Sequence, residues 1–170
     1  GGVSFTDFES DKERALLAYL AEECQAHRRE TLVGLLWPEF TESAGRNNLR
    51  RVLSNLRRTL RDRESPGLSL LLATRQTVQL NPAGDFWVDA RAFTDLVRSP
   101  MQQILEPLEQ ATALYRGDFM EGFSLRDGPE FEDWALLTRE WLQREALAAL
   151  EWLAGEAERR RDTARACDFV

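Results

Sequence analysis

Leucine and valine recur along GRNNLRRVLSNLRRTL, residues 45–60, at a spacing that suits an α-helix and no other regular element. On a wheel of about 100° per residue with Leu49 at zero, Val52, Leu53, Leu56 and Leu60 fall within about 60° of it. The spacing predicts a helix with one apolar face to bury. Asn47, Arg51, Ser54 and Arg58 fall on the far side, with Arg50, Asn55 and Arg61 on its flanks. A chain that carries such a helix must supply a core for its leucines and leave a row of Arg, Asn and Ser uncovered.

The charge on that row is unusual for this chain. The formal net charge is −7, yet residues 46–63 hold seven arginines and one acid, Asp62. A solvated helix face normally intersperses Glu for pairing at i, i+4, and no acid occurs between 46 and 61 although the chain has 29. Arginine can pair bidentately with guanine O6 and N7, and asparagine with adenine N6 and N7. Flanking arginines suit phosphates, which orient a protein on DNA without reporting sequence. Arg57 and Arg61 take that part. The preference for Arg over Lys carries no weight, because Lys12 is the sole lysine. Residues 1–88 balance 12 basic against 12 acidic residues, whereas 89–170 hold 10 against 17. Such asymmetry points to two units with different tasks.

Around the basic segment the pattern reads helix, helix, loop, helix, hairpin, and then helices only. DKERALLAYLAEECQA (11–26) is an amphipathic helix capped by Ser10 or Asp11, and RRETLVGLLW is a second, stopped by Pro38. EFTESA (39–44) is a connector in which Glu42 or Ser43 can cap the basic helix. RESPGLS breaks that helix, and Thr74, Thr77, Val78 and Leu80 read as a β-hairpin with its tip at Thr74-Arg75-Gln76 and a closing turn at 81–85. From Asp89 come a short helix ended by Pro100, then ILEPLEQATALYRGDF with Gly117 as C-cap, then a long helix from about 128. TARACDFV starts a further element, so the chain is expected to be a piece of a longer protein. The expected fold is mainly α: a winged helix-turn-helix with a β-hairpin wing, followed by an array of helical hairpins.

Other chemistry finds little support. No apolar run approaches the roughly 20 residues that span a bilayer, and no secretory signal precedes the first helix, so a cytoplasmic, membrane-free protein is expected. Cys24 and Cys167 match no metal-ligand spacing and read as buried free thiols. His27 is the only histidine and reads as a surface residue at a helix end, where a cation is favourable. Glu130, Glu132 and Asp133 open a helix and suit its dipole. No phosphate-cradling glycine loop occurs. Trp134, Trp141 and Trp152 read as core between helices, and Trp37 as a staple for the second helix. No enzyme, cofactor or metal is expected.

ESDKERALLAYLA, RRETLVGLLWP, GRNNLRRVLSNLRRTL and ALYRGDFMEGF…EFEDWALLTREWLQREALAAL, in this order, resemble the SARP/AfsR-type bacterial transcriptional regulators. The resemblance implies an OmpR-like winged-helix DNA-binding domain over 1–88, lacking its N-terminal strands, because only VSFTDF precedes the first helix. It implies a bacterial transcriptional activator domain over 89–170, tetratricopeptide-like and truncated at its C-terminus. It also implies binding to double-stranded DNA at promoter direct repeats, by two protomers side by side. Recruitment of RNA polymerase through its sigma factor and core subunits is implied as well. Base-reading positions carried over from the family fall near Asn48, Arg51 and Asn55, one helix position from the wheel except at Arg51. Arg75 and Thr77 match wing positions near the minor groove or backbone, and Glu39 and Glu42 are candidates for polymerase contact. The alternative is a helical-repeat interaction module whose winged helix binds protein and not DNA.

Overall fold

A computed structural model describes residues 8–62, 69–98 and 105–160. It is mainly helical, with one small antiparallel sheet among the described residues. The chain divides into two compact units: Gly1–Phe86 with Ser124–Asp133, and Trp87–Phe123 with Trp134–Val170. The short segment 124–133 therefore joins the first unit although it lies beyond residue 88. Residues 3–7 of VSFTDF and the element begun by TARACDFV lie outside the described residues, as does Cys167.

In the first unit the order is α1 (Asp11–Glu23), β1 (His27–Arg28), α2 (Arg29–Leu36), α3 (Glu42–Thr59), β2 (Leu71–Ala73) and β3 (Thr77–Leu80). The core gathers Ala15, Leu16 and Leu20 of α1, Leu32, Val33 and Leu36 of α2, and Leu49, Val52, Leu53 and Leu56 of α3. The leucine face of α3 thus packs as its periodicity requires. Helices α2 and α3 approach closely at Gly45, where an alanine Cβ would lie 2.3 Å from Val33 Cγ1. Lys12 fastens α1 to the 124–133 segment: its ammonium donates to the Leu36 and Asp127 carbonyls, pairs with Asp127 Oδ1 at 2.9 Å and lies over Trp37.

Helix α1 stops at Glu23, three residues before its apolar pattern suggests, because Cys24 takes a left-handed conformation with φ 46°. The cysteine is half-buried and free. That reversal lets His27 and Arg28 pair with Val78 and Thr77, giving the sheet order β1-β3-β2. β2 and β3 form the hairpin, with Leu71 opposite Leu80 and the tip at 74–76. Asn81 closes it, its side-chain amide donating to the Ser69 carbonyl at 2.8 Å. The cap of α3 is Thr41, not Glu42 or Ser43: its Oγ1 accepts from the Ala44 N–H.

His27 is the main correction to a single residue. It is not at a helix surface but 7% exposed in β1, its ring 4.8 Å from that of Tyr19. Its Nε2 has no hydrogen-bond partner among the described residues. Burial lowers its pKa below the usual histidine range, and the nearby Glu23 carboxylate only partly opposes this. The unfolded chain therefore binds the proton more tightly, so His27 favours folding above about pH 6.5 and costs stability as pH falls through that value. Thermal unfolding measured from pH 7 to pH 5 is expected to show a smaller loss in His27→Phe than in the wild type. Equal losses would place the proton uptake elsewhere.

The second unit holds α4 (Asp89–Val97), α5 (Leu105–Leu114) and the greater part of α6 (Pro129–Arg159). Phe93, Ala111, Leu142 and Ala146 form its buried cluster, with Leu96, Leu114, Phe119 and Trp141 against it. Helix α5 ends at Leu114, short of Gly117, and a loop follows. Trp134, Trp141 and Trp152 are half-buried, and the buried places on α6 go to residues such as Phe131, Ala146, Ala149 and Leu153. Trp134 meets Phe119 edge-on at 5.7 Å, and the Arg98 guanidinium lies 4.8 Å from the Trp141 ring. Among the described residues no helix is long and apolar enough to cross a membrane.

Candidate nucleic-acid interface

The exposed side of α3 is built in two halves. In the first, Asn47, Arg50, Arg51 and Ser54 are exposed. Arg50 donates to Asn47 Oδ1 at 2.8 Å, which holds both side chains on the helix surface. Arg51 has no hydrogen-bond or ion-pair partner among the described residues. Arg46, one turn earlier, is committed to acids: Glu30 at 2.6 Å and Glu42 at 2.7 Å. Glu39 and Glu42 are both exposed, and Glu42 is paired within its own helix.

The second half is tied to helix α1. Asn55 donates from Nδ2 to Glu9 Oε2 at 2.6 Å and to Glu13 Oε1 at 2.8 Å. Arg58 pairs with Glu9. Asn48 and Asn55 are only half-exposed, while Asn47, Ser54 and Arg58 face solvent beside Arg51. The two rotations left open by the sequence therefore differ in what they offer a ligand. Arg57 lies 3.9 Å from the buried carboxylate of Asp62, which accepts from Ser69 Oγ at 2.7 Å and from the Leu70 N–H. Asp62 so fixes the end of α3 to the start of β2, and Arg61, at φ 50°, stands exposed at that reversal.

The hairpin tip is positioned by Arg29, the first residue of α2. Its N–H donates to the Gln76 carbonyl and its Nε to the Thr74 carbonyl, each at 2.9 Å. Thr74 Oγ1 accepts from the Thr77 and Gln76 N–H groups, which leaves Arg75 exposed at the apex. Burial lowers the Arg29 pKa, and the fields of Arg50, Arg57 and Arg46 lower it further, against an opposing Glu30. These guanidiniums are close enough to repel, which is the condition for a focused positive potential.

Arg29, Glu9 and Glu13 were not singled out from sequence. Arg29 belongs to an arginine pair at the head of a helix, a weak signal. Glu13 lies on α1 and Glu9 just before it, and nothing local tells that they meet α3. Among the described residues no group of acids, cysteines and histidine could hold a metal ion. A search of protein-family models finds none that matches the chain, and a search of curated proteins finds no match either.

Proposed function

We propose that the chain is part of a sequence-specific, DNA-binding transcriptional activator of the SARP/AfsR type. The observation that carries this reading is the exposed row Asn47, Arg50, Arg51 and Ser54 on α3, in a unit whose hairpin apex, Arg75, is exposed as well. In this reading the first unit is a winged helix-turn-helix and α3 lies in the major groove. Arg51 reads a base edge, with Asn47 and Ser54 beside it. Arg50, Arg57 and Arg61 meet phosphates, and Arg75 and Thr77 reach the backbone or minor groove. The acidic half of the chain repels DNA and leaves α3 as the main point of attraction.

The second unit is then the activator domain, a tetratricopeptide-like array that recruits RNA polymerase through its sigma factor and core subunits while two protomers occupy direct repeats. Glu39, exposed in the connector before α3, is the better placed of the two acidic candidates for that contact. One feature favours the alternative of a protein-interaction module: α6 leaves Leu136, Leu137 and Leu147 at 48%, 66% and 55% exposure. Binding of duplex DNA measured across salt concentrations separates the two readings.

A further inference from the structure

Glu13 is a carboxylate with 1% exposure, and a buried charge is costly unless hydrogen bonds replace its water. Both of its oxygens are used: Oε1 accepts from Asn55, and Oε2 accepts from the Glu9 N–H at 3.0 Å. Glu13 so fixes the backbone at the head of α1 and turns the Glu9 side chain toward α3. There, Glu9 Oε2 accepts from Asn55 Nδ2 and Glu9 Oε1 accepts from Arg58 Nη2. One carboxylate, with two oxygens, bridges an amide and a guanidinium.

Two non-bridging oxygens of a phosphodiester present the same pair of acceptors, and arginine is well suited to them. The ion pair is open to solvent, with the Arg58 side chain 66% and the Glu9 side chain 55% exposed. Exposed pairs of this kind contribute little stability, so a second anion can displace the first. We propose that Asn55 and Arg58 form a phosphate-binding subsite that the Glu9 carboxylate fills in the free protein and the DNA backbone takes over on binding. The proposal rests on the DNA-binding reading and changes the part of two residues. Asn55 and Arg58 grip the backbone, leaving base reading to Asn47, Arg51 and Ser54. Glu13 is the positioning residue that keeps the Asn55 amide turned to this subsite.

The test uses the 170-residue chain and a mixed-sequence duplex at several salt concentrations. Glu9→Gln is expected to bind about two- to five-fold tighter than wild type, the release expected for an exposed pair. Asp11→Asn, which removes a charge two residues away without touching Arg58, is expected to gain less. In an Arg58→Ala background the Glu9→Gln gain is expected to vanish. A gain no larger than that of Asp11→Asn, or one that persists without Arg58, overturns the proposal. A second arm needs no DNA: inorganic phosphate is titrated while the Asn55 side-chain amide is followed by NMR. A saturable shift in Glu9→Gln that the wild type lacks supports the subsite, and identical responses refute it. If no variant binds duplex DNA, the DNA-binding reading fails while the phosphate titration still decides the subsite.

Discussion

Leu56→Ala is expected to destabilise the first unit by about 3 kcal/mol, within the range of 2–5 kcal/mol for buried leucines. Leu56 is fully buried on α3, in the same layer as Leu49, Val52 and Leu53. Truncation removes apolar contact and leaves a cavity that two helices already in close approach at Gly45 can only partly fill. Against a typical total of roughly 5–15 kcal/mol, that loss is large. Denaturant unfolding followed by circular dichroism measures it. A loss below about 1 kcal/mol would mean that this face of α3 is not the packed one, and the assignment of the opposite face to DNA would fall with it.

Arg51→Ala has the complementary profile. Its side chain is exposed and has no partner among the described residues, so unfolding should change by no more than about 0.5 kcal/mol. Affinity for a specific duplex, obtained by enrichment from a randomised pool, is expected to fall by about 1–3 kcal/mol. Mixed-sequence DNA should be affected far less, so the specificity ratio narrows. Arg61→Ala serves as the contrast: loss of a phosphate contact weakens all sequences alike and reduces the salt slope by about one unit. Unchanged specific affinity in Arg51→Ala at fixed salt would remove Arg51 from base reading.

The division of α3 into a leucine face and an Arg/Asn/Ser face was legible from spacing alone, because helical periodicity decides it within a single element. The hairpin tip at 74–76 was legible for a similar reason, since strand alternation on either side of polar residues leaves little choice. Three features were not. The strand at His27 has only two residues, too few to show a period, and exists because β3 accepts it. The end of α1 depends on a left-handed cysteine, a conformation that its sequence neighbours do not announce. The hold of Glu13 on Asn55 joins residues 42 positions apart, and only the packing of α1 on α3 brings them together. That same long-range contact engages Asn55, whereas Asn47 and Ser54 stay exposed.

The tryptophans show where composition misleads. Their spacing along α6 matches a buried stripe, yet Phe131, Leu142, Ala146 and Leu153 take its buried positions and the indoles stay partly exposed.

The salt dependence of duplex binding by the wild-type chain bears most directly on the central claim that α3 presents its cations to DNA. If Arg50, Arg57, Arg58, Arg61 and Arg75 meet phosphates as proposed, log K is expected to fall with log salt at a slope of roughly −4 to −5. Affinity that is absent, or that stays flat across the same range, would contradict the claim and turn attention to the exposed leucines of α6 as a protein-binding face.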